Sequence, residues 1–394
     1  PGSNVNPPFQ ASRSARFGRM STVQDRHTRD LYGFLVEIDP GVDPNDDYVG
    51  LSEGGDGAGH RKLGAVGRAR WENATFAVGT DGRLVDGQPI VMYAGNDRRG
   101  GRVWKFVTDA VYTDGMTKAQ VRDMLDAGTL YVAHFAELEN SDGQTLAGSG
   151  GVQADESNRG TGRWIEFSVD SLDSPPNAGA LGQPTITVGE ALLDVDYNAI
   201  GGFPSDDIAK KCLFTAATKL GVRETNRPED VEYNANDFSG MPRIYIAFTN
   251  HTRQVALDQD GVLFDPASHS TDSPNRGDVA GSVMVVEEGN AFNPGASSTF
   301  TFWTAYRGQL STDVGAAAAP DNIAIDSSGG VWFGTDGNFS RNGTADAVYY
   351  LDMDPAHRAG EPGVVNATFG QAFRIAAVPR DAEATGPAFS GDES

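Results

Sequence analysis

The sequence predicts an all-β, propeller-like fold with a few helical insertions, and three observations predict it. From Arg70 onward, short apolar runs alternate with Gly/Asp turns. Glycine (49 residues) and proline (20 residues) are plentiful, which suits many strands joined by turns rather than a helical bundle. One hairpin plan also recurs: "ENATFAVGTDGRLVDGQPIVMYAGND" opens at Glu72, "EDVEYNANDFSGMPRIYIAFTN" at Glu229 and "DNIAIDSSGGVWFGTDG" at Asp321. In each, a carboxylate opens an alternating strand, a Gly/Asp turn follows, and an apolar strand ends in a polar pair: Asn96–Asp97, Thr249–Asn250 or Thr335–Asp336. A fourth acid, Glu383, opens "EATGPAFSGDES". Hairpins repeated at irregular spacing, with the extra length in loops, fit propeller blades better than a solenoid.

Taken in order, residues 1–30 are rich in Ser, Arg, Pro and Asn without periodicity and read as an irregular N-terminal arm; residues 31–394 read as the propeller portion. "YGFLVEIDP" (32–40) is a strand, and "DPGVDPNDD" (39–47) is a solvated loop that lacks full EF-hand spacing. "TKAQVRDMLDAG" (117–128) is a helix with a Thr cap and a terminal Gly. Residues 138–200, Gly/Ser/Asp-rich with few strand signals, read as a surface insertion. "SDDIAKKCLFTAATKLG" (205–221) reads as one helix with a Ser cap, an acidic first turn, later Lys and a closing Gly. Cys212 is then a small buried residue on that helix.

Charge and composition exclude several functions. The formal net charge is −23, from 54 acidic and 31 basic residues, so a nucleic-acid partner is excluded for want of clustered cations. Six Lys against 25 Arg fits either a protein of salty water or a GC-rich genome. A single cysteine allows no disulfide within the chain and no Cys-based zinc site. No apolar run approaches the ~20 residues that span a bilayer. There is no Gly-x-Ser-x-Gly elbow and no P-loop, which sets serine hydrolases and nucleotide kinases aside.

In a propeller the first strand of each blade lines the central channel, so the opening acids are expected to meet around one axis. "NRPEDVEYN" (226–234), with Glu229, Asp230 and Glu232 beside one arginine, reads as a sector of that acidic ring. Carboxylates so close raise one another's pKa unless protons, water or cations compensate. Hard cations with oxygen ligands suit this residue set; a solvated acidic rim is the alternative.

Nine blocks occur in the order found in the PhoX-type alkaline phosphatases: "YGFLVEIDP", "GRARWENATF", "YAGNDRRGGRVWKFVT", "GTLYVAHF", "GTGRWIEF", "RPEDVEYN", "IYIAFTN", "GGVWFGTDG" and "EATGPAF". The chain resembles that family of secreted bacterial β-propeller phosphomonoesterases from about residue 15 to about residue 390. The resemblance implies calcium and iron ions in the channel, held by carboxylates and one cysteine, with an arginine facing the substrate phosphate. It places Glu72 ("RWENA") and Glu229 ("RPED") as metal ligands, Arg227 as the phosphate-facing arginine, and Asp336 ("TDG") as a further metal ligand at the channel. With the repeat, it adds Asp97, Asn250, Asp321 and Glu383 as metal ligands. The family's cysteine belongs to an upstream segment that this sequence does not contain, and Cys212 stands in a different context. Calcium is therefore the simpler expectation, and iron depends on that segment. The resemblance further implies a phosphomonoester substrate, a secreted or periplasmic location and a second chain that completes the propeller. The alternative is a non-catalytic relative serving as a structural or interaction module of an extracellular assembly.

Overall fold

The computed structural model describes residues 33–38, 60–136, 138, 156–249, 257–258, 260–263 and 280–390. The expected arm at 1–30, the loop at 39–47, residues 139–155 and Asn250 lie outside the described residues.

A short ladder of β1 (Val36–Ile38) and β2 (His60–Lys62) comes first. Each of the three sequence hairpins then grows into a four-stranded antiparallel meander. The first runs β3 (Trp71–Phe76), β4 (Pro89–Asn96) and, past the short β5 (Arg99–Gly101), β6 (Val103–Val111) and β7 (Gly128–Phe135). After β8 (Gly160–Glu166) and the two-residue β9 (Thr225–Asn226), the second runs β10 (Pro228–Asn234), β11 (Arg243–Phe248), β12 (Ser282–Glu288) and β13 (Thr299–Arg307). The third is β14 (Pro320–Ile325), β15 (Val331–Thr335), β16 (Ala347–Leu351) and β17 (Ala372–Ala377). Four-stranded meanders of this kind are propeller blades, as the repeat predicts.

The first two blades share one nine-stranded sheet in the order β10-β11-β12-β13-β8-β7-β6-β4-β3. Its two ends lie side by side and are stapled by Asn73, whose Nδ2 donates to the Val231 carbonyl (3.1 Å) and whose Oδ1 accepts from the Val231 amide (3.0 Å). β10 also lies against β14, so the leading strands of all three blades meet. Strand β11 shows why they pack this way. Ile244, Ile246 and Phe248 point into a core with Val91, Tyr93, Val231 and Phe302. The alternate residues Tyr245 and Ala247 pack with Trp303, Phe333 and Tyr349 of the second and third blades. A strand buried on both faces loses the hydrophobic/polar alternation and reads as one apolar run. Each large side chain so buried contributes about 1.5–3 kcal/mol.

Helices cover the first blade. α1 (Lys118–Met124) carries the expected Thr117 cap as a full capping box with Gln120. α2 (Val188–Leu193) buries Val188, Ala191 and Leu192 against the core that includes Trp104 and Ile165. Within the stretch read as a surface insertion, β8 is thus a sheet strand and α2 a core helix. The glycines that weaken the strand signal in "GTGRWIEF" have a packing reason: Gly162 pairs directly with Phe300, and a Cβ there would stand 2.1 Å from that ring.

The helix expected over 205–221 is two helices, α3 (Asp206–Lys211) and α4 (Leu213–Lys219), broken at Cys212 (φ −128°, ψ 34°). The backbone amide of Arg68 donates to the Lys210 carbonyl and its Nη1 to the Lys211 carbonyl, both at 2.9 Å. Those bonds draw off acceptors that a continuous helix would use. Ser205 also makes no side-chain cap bond. Cys212 is fully buried at the break. The short α5 (Asn338–Asn342) follows β15. Among the described residues, no helix is long and apolar enough to cross a membrane.

Candidate functional site

Glu72, Glu229 and Asp321 each stand second on a leading strand, after Trp71, Pro228 and Pro320. Each hairpin ladder shifts register at this place: between Trp71 and Ala74, between Pro228 and Asp230, and between Pro320 and Ile323. Such an irregularity re-aims the side chain that follows the strand start. In all three, the carbonyl two residues before the acid is tied to the far end of its own hairpin. Arg70 O accepts from the Asp97 amide (2.9 Å), Ala319 O from the Asp336 amide (3.0 Å) and Arg227 O from the Thr249 amide (3.4 Å). The opening acid and closing polar pair of each repeat are thereby joined by the same bond. Arg227 and Ala319 share a left-handed backbone, with φ of 43° and 53°. A residue other than glycine held there costs about 1–3 kcal/mol, strain that collects at functional sites.

The structure gathers six of the seven expected metal ligands into two groups. Glu72, Asp97 and Glu229 bring carboxylate oxygens within 4.8 Å of one another; Asp321, Asp336 and Glu383 do the same. Glu383 belongs to no strand: its neighbour Ala384 donates its amide to the Thr335 carbonyl (3.2 Å), which holds the segment beside β15. The seventh expected ligand, Asn250, lies outside the described residues.

Arg227 is set into the first group. Its Nε donates to Asp97 Oδ1 at 2.8 Å, and its Nη2 lies 2.5 Å from Glu229 Oε1. That Oε1 is buried and accepts no well-aligned hydrogen bond, so the contact is an ion pair only. Asp97 and Arg227 are brought abreast by the β5–β9 ladder, in which Arg99 pairs with Asn226 and Gly101 with Thr225. Gly101 admits no side chain: a Cβ would sit 2.1 Å from the Asn96 carbonyl and 2.9 Å from Pro228.

Burial, then the charges of Asp97 and Asp321, push the Glu229 carboxyl up to about 10, with Arg227 working the other way. Burial, then Glu383, Asp336 and Glu72, push Asp321 up to about 8. Glu72, Asp336 and Glu383 are raised as well, in each case by burial first. Without a proton or a cation these groups do not all ionise at neutral pH.

The donor set answers whether divalent ions fit. Both groups offer only carboxylate oxygens, and Glu229 Oε1 is an acceptor left without a donor hydrogen. That suits a hard cation such as calcium. Neither group contains a cysteine or histidine, and Cys212 is buried among helix residues of the core. The softer ligand expected for iron is not supplied by the described residues.

The reading of "NRPEDVEYN" as one acidic sector needs correction, because only Glu229 joins a group. Asp230 turns to the backbone and accepts from the Ile323 amide (2.7 Å) and its neighbour Val231 (2.9 Å), tying β10 to β14. Glu232 accepts from Asn73 Nδ2 (3.2 Å) and Thr75 Oγ1 (3.0 Å), tying β10 to β3. Two of the three acids are blade staples. The sequence reading also missed Asp346, whose charge raises both Asp336 and Glu383.

A cavity of about 860 Å³ lies elsewhere, over β7, β8 and β11 to β13. Its arginines are engaged: Arg243 pairs with Asp237, Glu156 and Glu287, and Arg163 with Asp173. Volume alone therefore does not mark the site, and the acids do.

Comparison with known proteins agrees with this fold. The model of the family described as alkaline phosphatase PhoX matches residues 4–394. The solved structure "Pseudomonas fluorescens PhoX in complex with vanadate, a transition state analogue" is similar, at 24% identity and a TM-score of 0.59. The match covers 92% of this chain and 51% of that one, so this chain spans about half the length of that relative. No curated protein matches. With a family match over nearly its whole length, and with its acids placed at the heads of three propeller-like blades, this chain belongs to the PhoX alkaline phosphatase family.

Proposed function

We propose that this chain forms the catalytic face of a metal-dependent phosphomonoesterase, with calcium held by the two acid groups. One observation carries the reading: Arg227, held by Asp97 and Glu229, stands with two oxygen-only carboxylate groups where three leading strands meet. When bound, the ions supply charge neutralisation for the phosphate and an activated oxygen. The residues do the rest. Glu72, Asp97 and Glu229 hold one ion and Asp321, Asp336 and Glu383 the other. Asp97 and Glu229 orient the guanidinium, whose remaining donors match two phosphate oxygens in a way that an ammonium cannot. Fixed cations of this kind are a principal source of rate in phosphoryl transfer.

Secretion to the extracellular side and a partner chain packed beside the blades belong to the same proposal, and iron would need a ligand from outside the described residues. The face of the third blade that carries Trp332, Tyr350 and Phe373 in register across three strands, where Phe389 of this chain already packs against Trp332, is the surface such a chain would extend over. Phe373 on that face is 40% exposed. Hydrolysis of p-nitrophenyl phosphate at alkaline pH, with calcium and then with chelator, tests the reading. Calcium-dependent turnover that chelator abolishes supports it, and turnover indifferent to chelator overturns it. The absence of turnover with both calcium and iron added favours the non-catalytic module.

A further inference from the structure

We propose that Asp346 is a positioning residue of the second acid group, holding the turn that carries Asp336 and supplying charge that strengthens cation binding there. The inference rests on the metal-dependent reading above and assigns a role to a carboxylate outside both groups. Asp346 stands just before β16 and is 5% exposed. Its Oδ1 accepts three hydrogen bonds: from Thr335 Oγ1 (2.8 Å), the Gly337 amide (2.9 Å) and the Asn338 amide (2.8 Å). The donors bracket Asp336 on both sides, so this one oxygen fixes the turn on which Asp336 faces Asp321 and Glu383. Thr335 Oγ1 in turn accepts from the Ala347 amide (3.2 Å), closing a ring of bonds between β15 and β16.

Three neutral donors satisfy a carboxylate oxygen but do not cancel its charge. Among the described residues, Asp346 makes no ion pair. Its charge stands directly behind Asp336, since its bonds come from the residues on either side of that acid. A buried anion behind two other anions is costly, and a cation in front of them offsets that cost. Outer-shell partners of metal ligands act in this way, and their loss typically weakens metal binding about 10–100-fold.

The two roles separate by substitution. In Asp346→Asn, the amide oxygen can still accept the three bonds, so the turn persists while the charge is lost. In Asp346→Ala both are lost. Calcium titration calorimetry on the full chain, with Asp321→Asn marking which binding phase belongs to the second group, provides the readout. The expected result is that Asp346→Asn melts close to the wild type, yet loses about 10–100-fold in calcium affinity at the second group and none at the first. Unchanged calcium affinity in Asp346→Asn removes the charge role, and unchanged affinity in Asp346→Ala as well overturns the whole inference and leaves the phosphatase reading standing. Failure of the wild-type chain to bind calcium at either group overturns both.

Discussion

The two acid groups are built from the same repeat yet are compensated differently. Both take their opening acid from the second residue of a leading strand, and in both the carbonyl two residues earlier binds the end of the hairpin. In the first group, Arg227 supplies a positive charge in direct contact with Asp97 and Glu229. The equivalent backbone position before Asp321 is Ala319, with the same left-handed conformation and no charge to offer. Behind the second group lies another anion, Asp346, and Arg227 reaches that group only at a distance, its charge opposing the rise of Asp321, Asp336 and Glu383. One backbone plan thus yields one group with a counter-charge in direct contact and one that feels the same arginine only at a distance. The first is suited to gripping an anionic substrate beside its ion, and the second to holding an ion firmly.

The largest effect expected from breaking this difference is at Arg227. Arg227→Ala should lower phosphomonoester turnover about tenfold to a thousandfold, while calorimetry still detects calcium at both groups. Arg227→Lys should recover little, because a point charge does not reproduce the fork. Equal turnover in all three proteins would remove Arg227 from the reaction.

Next come the acids themselves. Glu229→Gln and Asp321→Asn should each lose calcium binding at their own group and keep it at the other, which sharpens the assignment of two separate sites. A single substitution that abolishes both phases would show one merged site.

Gly101→Ala tests how the first group is assembled without touching a charge. The added methyl meets the Asn96 carbonyl and Pro228, so the loop carrying Asp97 must shift. We expect a loss of about 1–3 kcal/mol of stability by denaturant titration, with calcium binding weakened at the first group only.

The smallest effect concerns a staple. Burial first, then the charge of Asp230, pushes Glu232 up to about 8 from an ordinary 4.5. An acid raised on folding stabilises the fold while protonated, fully below about pH 4.5, and that contribution is lost as the pH rises through about 8. In chelator, thermal melts should fall over this window, and Glu232→Gln should flatten that part of the decline. An unchanged slope in the variant would place the pH dependence elsewhere.

Much of this site was legible before folding was considered, because the repeat carries its chemistry at fixed places. Glu72, Asp97, Glu229, Asp321, Asp336 and Glu383 all stand at repeat ends or family blocks, and the structure gathers all six. Asp230 and Glu232 show the limit. Composition counts them with Glu229, but the register shift at the head of β10 separates their directions, and nothing in "PEDVEY" states where a bulge falls. Strand β8 was hidden because Gly162 answers to Phe300, a partner more than a hundred residues away. The helix break at Cys212 was hidden for the same reason, since Arg68 draws off the carbonyls that would have continued it.

By itself the sequence determined the blades, the acids at their heads and the strongly negative net charge, because alternation, turn residues and charge are local or additive properties. Only the tertiary structure decided which acids come together, that Arg227 faces Asp97 as well as Glu229, and that Asp346 stands behind Asp336. Those relations depend on distances between strands that the chain brings together only on folding, and electrostatic interaction follows distance and burial rather than sequence order.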